Sequence, residues 1–434
     1  MPSKQINVGL IGLGSVGRGV ARYFQQGRGK NFGINLKKVA VFNLKKDRRL
    51  GYSLPPLTDK PEEIINDPQI DIVVELIGGI NPAKKYILDA IKSKKSVVTA
   101  NKAVIAQYAK EFFTAAKQNN ADFAFEGAVG GGIPLIRTLL GFSGEKINRV
   151  MAILNGTTNF ILTQMEEGLD FATALKDAQA KGFAEANHIL DTGGFDARDK
   201  LAILASLIFN SEIKTQSIYC EGITGITPVD VDFASKFGTD EDGKGYAIKL
   251  IAQAQRLNGE IVLRVNPALI AKNHPLASIR NELNAVYLEG ELFGQLTISG
   301  PGAGTNPTTS AVISDILRLT DNLRKGITDD LPALDSKVKL SKAENINQKG
   351  YIRVNLRHKP GSLAAVAKIL AKHQLNISDS IQRRRFETKI KGVSYIPDII
   401  TVESTQRGRI EKALKEVSKS GRVEGAPFFL GFED

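Results

Sequence analysis

Only one cysteine, Cys220, stands among 434 residues, and a lone thiol can neither close an intramolecular disulfide nor form a cysteine-based zinc cluster. Its scarcity fits a reducing compartment. Histidine is nearly as rare: His188, His274, His358 and His373 show no metal-ligand spacing, so a catalytic zinc is not expected. Long apolar runs are absent too. The longest uncharged stretch near the middle, Val150 to Met165, is broken by Asn155, Thr157, Thr158, Asn159 and Gln164, and is too short and too polar to span a bilayer. The opening Met1-Pro2-Ser3-Lys4-Gln5 passes straight into Ile6-Asn7-Val8-Gly9-Leu10-Ile11 without a secretory apolar core, which makes a cytoplasmic protein the expectation. No repeat of about 20 to 50 residues and no low-complexity tract is found, which removes solenoids and propellers. A G-x-S-x-G elbow and a Walker loop are missing as well.

What is present is ordinary in amount and informative in place. With 42% hydrophobic and 24% charged residues the chain reads as globular, and its length exceeds what one core usually serves, so two or three domains are expected. The net charge of +12 by itself fits nucleic acid, anionic ligands or a solubilising surface. Residues 350–434 hold 16 Lys and Arg against 9 Asp and Glu, so the excess concentrates in the last segment. No helix-turn-helix pattern or aromatic stacking series accompanies it, and nucleic acid is not an expected partner.

Hydrophobic periodicity reads Gln5 to Ile11, Leu36 to Asn43 and Ile70 to Leu76 as strands, with a helix at Ser15 to Phe24. Asn81 to Ser93, Ser96 to Ala100, Val104 to Asn119 and Asp122 to Glu126 continue the alternation of helix and strand. That order predicts an α/β fold opening with a Rossmann-type, doubly wound nucleotide-binding domain over 1–135, completed by about 304–325. Amphipathic helices at Phe160 to Glu167, Phe171 to Lys181 and Ala197 to Phe209, with a strand-like run at Ala285 to Leu292, suggest an α+β domain over 136–303. The polar segment 326–349 is the expected linker. Residues 350–434 follow a β-α-β-β-α-β order, a ferredoxin-like plan expected to form a separate module.

The chemistry is written in the turns. Gly12-Leu13-Gly14-Ser15-Val16-Gly17 is a G-x-G-x-x-G run directly after one strand and at the start of a helix, where it would cradle a pyrophosphate on the helix amides. NAD-preferring sites usually place an acid after the second strand, but here Val41-Phe42-Asn43 runs on into Leu44-Lys45-Lys46-Asp47-Arg48-Arg49. A basic cluster suits a 2′-phosphate and favours NADP over NAD, with a solvated loop as the alternative and Asp47 misplaced for the usual acid. Asp196 and Lys200, four apart after a glycine-punctuated loop, share one helix face. A lysine in a closed site can exchange the proton that reduction of a carbonyl requires, although a surface ion pair is the plainer reading. Thr99-Ala100-Asn101-Lys102 ends a strand, which delivers Lys102 either to the ligand crevice or merely to the surface. Glu126 to Pro134 also ends a strand, and its glycines free backbone groups to approach a ligand or a hard cation, or else serve tight packing.

Six ordered motifs resemble those of homoserine dehydrogenases of the monofunctional bacterial type, with a C-terminal ACT domain, over nearly the whole chain. They are Gly12 to Gly17, Thr99 to Lys102, Glu126 to Pro134, Asn155-Gly156-Thr157-Thr158-Asn159, Gly182 to Lys200, and Gly300-Pro301-Gly302-Ala303-Gly304 leading into Pro307 and Ser310. The resemblance implies NAD(P)-dependent interconversion of L-aspartate 4-semialdehyde and L-homoserine, a step toward threonine, isoleucine and methionine. It implies Lys200 as the acid/base residue, Lys102 beside substrate and nicotinamide, and Glu185, Asp191 and Asp196 around the substrate amino group. Cofactor contacts would come from Gly12, Gly14, Ser15, Val16, Gly17, Asn43, Lys45, Thr99, Lys102, Gly182 and Gly302. A monovalent cation, sodium, would sit at Glu126 and the backbone oxygens of Val129, Gly131 and Ile133. Residues 136–303 would bind substrate and dimerise, giving a homodimer or homotetramer, and the ACT domain would answer to an amino acid, L-threonine being the expected effector.

The chain departs from the family at a few places. Asn187-His188 stands where Asp-Pro is common, Thr192 where an aliphatic residue is usual, and His358 where many ACT domains carry an aspartate before Lys359-Pro360-Gly361. Because Glu185, Asp191, Asp196 and Lys200 are retained, activity is expected. Arg383-Arg384-Arg385 reads as an effector or interface patch, or as a charge-protected edge strand. The remaining alternatives are another NAD(P)-dependent amino-aldehyde dehydrogenase of the same fold and a non-catalytic NADP and amino-acid sensor.

Overall fold

The structure is a computed structural model describing residues 4–46, 48, 50–237 and 245–433. It comprises two compact units: one of Met1–Ile147, Asp199–Gln216 and Ile298–Val338, the other of Asn148–Arg198, Ser217–Thr297 and Lys339–Asp434. In the first, short runs rich in Val and Ile form strands, of which Ile72–Glu75 and Ser96–Thr99 are buried along their whole length, a pattern that requires cover on both faces of the strand. They become β1 (Ile6–Ile11), β2 (Ile34–Ala40), β3 (Leu57–Thr58), β4 (Ile72–Glu75), β5 (Ser96–Thr99) and β6 (Phe123–Ala124). All pair in parallel, in the order β3-β2-β1-β4-β5-β6. The order turns back at β1, so the crevice above the ends of β1 and β4 is where such a sheet binds its ligand.

Helices α1 (Ser15–Gln25), α2 (Glu62–Ile65), α3 (Ala83–Lys92), α4 (Lys102–Asn119) and α5 (Leu135–Gly141) belong to the same unit. Downstream come α6 (Gly156–Glu166), α7 (Phe171–Ala180), α8 (Ile189–Thr192), α9 (Phe195–Phe209), α10 (Pro228–Lys236), α11 (Thr305–Lys325), α12 (Ser362–Lys372) and α13 (Arg407–Ser418). Although far along the chain, α11 puts Val312, Ile313, Ile316 and Leu319 into one core with Val8, Leu10, Val74 and Val98.

A mixed sheet runs β12-β11-β7-β9-β10-β17-β13-β16-β14, with β15 on β16 and β8 on β10. Its strands are β7 (Ile147–Ile153), β8 (Tyr219–Cys220), β9 (Tyr246–Leu257), β10 (Glu260–Ala271), β11 (Leu283–Gly290), β12 (Gly294–Pro301), β13 (Asn347–Arg357), β14 (Ile377–Gln382), β15 (Thr388–Ile390), β16 (Val393–Gln406) and β17 (Phe428–Glu433). The hairpin of β9 and β10 pairs without a break from Tyr246↔Ala271 to Leu257↔Glu260 and turns on Asn258-Gly259. Both turn residues have positive φ, +50° and +79°, as the tight hairpin turn demands.

The last four main strands lie in the order β17-β13-β16-β14, with α12 and α13 between them in sequence, which is the ferredoxin-like plan. The module shares its sheet with the β9–β10 hairpin. Strand β17 pairs in parallel with β10 through Ala268↔Gly431, Leu269↔Phe432 and Ile270↔Glu433, because the open edge of β17 finds its partner in the hairpin. Buried polar groups rivet the junction. Asp230 accepts from Tyr351 Oη at 2.8 Å and Arg353 Nε at 2.9 Å, and Arg264 pairs with Glu433 at 2.6 Å. Charges buried this deeply are tolerated only when paired. Segment 326–349 is not loose either: Leu334 is buried with its amide on Asn210 Oδ1, Leu340 bridges to Ile261, and β13 begins at Asn347, ahead of Gly350.

Lys249, fully buried in β9, donates to the Ile279 carbonyl at 2.7 Å and lies 3.3 Å from Asn159 Oδ1. Burial pushes its ammonium down from 10.5 to about 8. Between those values the unfolded chain keeps a proton that the folded chain has lost, so stability rises with pH across the window. Compared with Lys249→Met, the wild-type chain should gain about 2 kcal/mol between neutral pH and pH ~10 in urea unfolding. A constant difference between the two proteins would contradict this.

Candidate active site

The three glycines after β1 do three different things. Gly12 holds φ at +103°, and a Cβ there would meet the Leu76 backbone at 2.7 Å. At Gly17 a Cβ would fall 2.2 Å from the Gly12 carbonyl oxygen, whereas at Gly14 nothing lies within 4 Å. The turn, the close packing of α1 and the open approach to its first amides are thereby assigned residue by residue.

Two cavities flank this turn inside the first unit, and both are lined by Gly14, Leu76 and Gly78. The first, about 600 Å³, is lined by Gly12, Phe42, Asn43, Lys46, Arg48 and Asp59 among others. Phe42 is wholly exposed beside it. Lys45 does not line it: that residue instead gives its amide to Asn43 Oδ1 at 2.9 Å, because the turn presents Lys46 and Arg48 to the cavity. Arg48 donates to the carbonyls of Lys46 and Asn43. Asp47 and Arg49 lie outside the described residues.

The second cavity, about 460 Å³, brings together Ser15, Val16, Lys102, Lys200, Gly131 and Gly302. Lys102 opens α4, whose preceding residue Asn101 accepts from the Val104 amide and donates to the Gly79 carbonyl at 2.6 Å. Thr99 lies buried beneath, its hydroxyl donating to Glu75 Oε2 at 2.7 Å. Glu75 was not singled out from sequence, although an acid ending the apolar run Ile72-Val73-Val74 was a visible oddity. It also accepts from the Ile77 amide at 2.8 Å, and burial raises its carboxyl above the usual range.

Glu126 is buried with both oxygens occupied, accepting from the Ile136 and Arg137 amides at 2.8 and 2.9 Å at the start of α5. Burial raises its carboxyl too. Its own amide is held by Asp315, whose carboxyl burial pushes up to about 6. In the following turn Gly130 and Gly131 have positive φ, and a Cβ on Gly131 would strike the Gly302 backbone at 2.6 Å. Among the described residues no group of three or more His, Cys, Asp and Glu could hold a metal, which leaves a site of backbone oxygens untouched.

In the second unit, Asn155 Nδ2 donates to Asp191 Oδ1 at 2.7 Å and to Asp196 Oδ2 at 2.9 Å, while its Oδ1 accepts from Thr158 at the head of α6. One amide thus holds both acids. Asp196 sits in the first turn of α9 and Lys200 one turn on, both buried. Glu185 and Gly182 are exposed, and neither takes part in the Asn155 bridge. The two unusual residues of this loop meet: His188 Nδ1 lies 3.0 Å from Thr192 Oγ1, and the Thr192 hydroxyl donates to the His188 carbonyl. Side-chain bonds therefore brace a turn that a proline would have stiffened.

The family model described as homoserine dehydrogenase matches residues 134–317, its NAD binding domain matches 12–126, and the ACT domain matches 350–419. A curated homoserine dehydrogenase of Bacillus subtilis is 36% identical over 97% of this chain and 99% of its own. The crystal structure of the homoserine dehydrogenase from Thiobacillus denitrificans superposes with a TM-score of 0.88 at 34% identity, covering 99% of both chains. A hyperthermophilic archaeal homoserine dehydrogenase solved in complex with NADPH gives 0.61 at 27% identity, covering 74% of this chain and 98% of its own. Glycine turn, lysine-lined cavity and full-length similarity lead to one conclusion: the chain belongs to the homoserine dehydrogenase family of NAD(P)-dependent oxidoreductases and carries that family's nucleotide-binding domain and a C-terminal ACT domain.

Proposed function

We propose that the chain interconverts L-homoserine and L-aspartate 4-semialdehyde with Lys200 as the acid/base residue. The observation that carries this reading is the cavity shared by Lys102, Lys200 and the glycine turn at the ends of β1 and β4. A bound nicotinamide supplies hydride acceptance and donation. Lys200 Nζ takes the hydroxyl proton in the oxidative direction and returns it in the other. Lys102, fixed by the Asn101 cap, orients the reacting oxygen, and Asp191 and Asp196, held by Asn155, receive the substrate ammonium together with Glu185. Residues 1–135 with 304–325 serve the cofactor, 136–303 the substrate and dimerisation, and 350–434 regulation by L-threonine, in a cytoplasmic homodimer or homotetramer.

Glu126 with the carbonyls of Val129, Gly131 and Ile133 offers hard oxygens and one formal negative charge, a donor set suited to sodium rather than to zinc. The Glu126 oxygens keep lone pairs beyond those used on α5.

NADP is the favoured cofactor, because Lys46 and Arg48 line the first cavity. Arg48→Ala should lower kcat/KM for NADP by about tenfold to a hundredfold, the worth of a charge-assisted bond, and leave NAD kinetics nearly unchanged. Initial rates with L-homoserine and each oxidised cofactor test both claims. Absence of turnover with either, from protein that binds nucleotide, would end the substrate assignment.

A further inference from the structure

Strand β4 ends on a residue that the interior of a parallel sheet has little reason to bury. Glu75 is wholly inaccessible to water, follows Ile72, Val73 and Val74, and has no lysine, arginine or histidine paired with it among the described residues. Donors alone offset its burial. Oε1 accepts from the Ile77 amide at 2.8 Å and Oε2 from the Thr99 hydroxyl at 2.7 Å, and the Gly78 amide and the Asn101 side chain bond to it as well. The Thr99 oxygen meanwhile accepts from the Asn101 amide at 3.0 Å, so its one hydrogen is committed to Glu75. Glu75 lines neither of the two cavities beside the glycine turn.

Its donors belong to two different loops. Ile77 and Gly78 follow β4, whereas Thr99 and Asn101 come from the end of the neighbouring β5, where Glu75 and Thr99 are paired in register. The loops are joined a second time at the rim, where Asn101 Nδ2 donates to the Gly79 carbonyl at 2.6 Å. Gly78 and Gly79 hold φ at +72° and +70°, and a Cβ on either would meet no protein atom within 4 Å, so this loop gives the second cavity a ledge of bare backbone. Lys102, directly after Asn101, is the first residue of α4 and lines the same cavity. One buried carboxylate thus fixes both the ledge and the point from which Lys102 departs. We propose that Glu75 is a positioning residue for the reaction, acting through Thr99 and Asn101 to hold Lys102 in register with the Gly78-Gly79 ledge. This deepens the reading above and rests on it for the effect on rate, but not for the hold on the two loops.

Glu75→Gln keeps the size of the side chain but offers one acceptor oxygen in place of two, so one of the two loops loses its hold. With L-homoserine and NADP, kcat should fall about tenfold to a hundredfold, the loss a misplaced group brings, while KM for L-homoserine stays within about threefold. The comparison that separates positioning from simple stabilisation is with Lys102→Met. In Lys102→Met protein, Glu75→Gln should lower kcat by no more than about twofold further, whereas a residue that only stabilises the sheet would lower both backgrounds alike. In the cofactor-free protein, amide hydrogen exchange should quicken about tenfold or more across 76–79 and 101–104 and stay unchanged in β2. Asn101→Ala, at the rim and with the carboxylate left in place, should reproduce both results and decides the matter should Glu75→Gln fail to fold. Equal losses in the two backgrounds, or unaltered exchange in both segments, overturns the proposal. If the wild-type protein does not turn over L-homoserine, the substrate reading fails, and the exchange comparison alone decides whether Glu75 holds the two loops.

Discussion

Lys200→Ala should lose about 10²- to 10⁴-fold in kcat, the usual contribution of a positioned acid/base group, with the affinity for oxidised cofactor changed by no more than about threefold. Lys200→Arg should be nearly as poor, since a guanidinium keeps its charge but does not give up its proton at working pH. The pair of variants separates proton transfer from electrostatic attraction, because a residue needed only for charge would be rescued by arginine. Lys200 is suited to the role by position. It is buried in the second turn of α9 and reaches the cavity that Gly14 and Lys102 also line. Steady-state rates at saturating L-homoserine, with cofactor binding followed by fluorescence, give the answer, and Lys200→Ala with turnover within about tenfold of wild type would falsify the role.

Gly14→Ala and Gly17→Ala should fail in opposite ways. At Gly17 the new methyl would press on the Gly12 carbonyl, a backbone atom that yields only if the whole turn deforms. Overpacking of this kind costs about 1–3 kcal/mol, so Tm should fall by roughly 5 °C and cofactor binding should go with it. At Gly14 the methyl meets no protein atom, so Tm should hold within about 1 °C. Cofactor affinity should nevertheless fall by about tenfold or more, because the methyl occupies the path by which a pyrophosphate approaches the α1 amides. Equal Tm values for the two variants would show that the close approach at Gly17 is relieved by movement of the turn.

The parallel sheet was legible because its signal is local. Apolar runs, glycine spacing and alternating helices all lie within short windows, and the strand ends fell within a few residues of the observed ones. The β9–β10 hairpin was missed for a physical reason. Its strands are buried on both faces and place Lys249, Gln253, Arg264 and Asn266 among the buried positions, which erases the alternation that marks a half-exposed strand. Asn258-Gly259 was the one local clue. The hold of Asn155 on Asp191 and Asp196, and that of Thr99 on Glu75, join residues far apart in sequence, so no window contains both ends. Spacing alone does not say which side chains of a turn face inward: Lys46 and Arg48 line the cavity, whereas Lys45, a contact the family resemblance implies, is not among its lining residues.

The pairing of β17 with β10 changes what it means to remove the C-terminal module. A chain shortened before Gly350 would leave the β10 backbone from Ala268 to Ile270 without its neighbour and strip the cover from a strand made almost entirely of buried residues. Bare edges of that composition invite pairing with other chains. Truncation of the module therefore exposes a sheet edge that invites aggregation, whereas single changes in the module would keep the sheet closed.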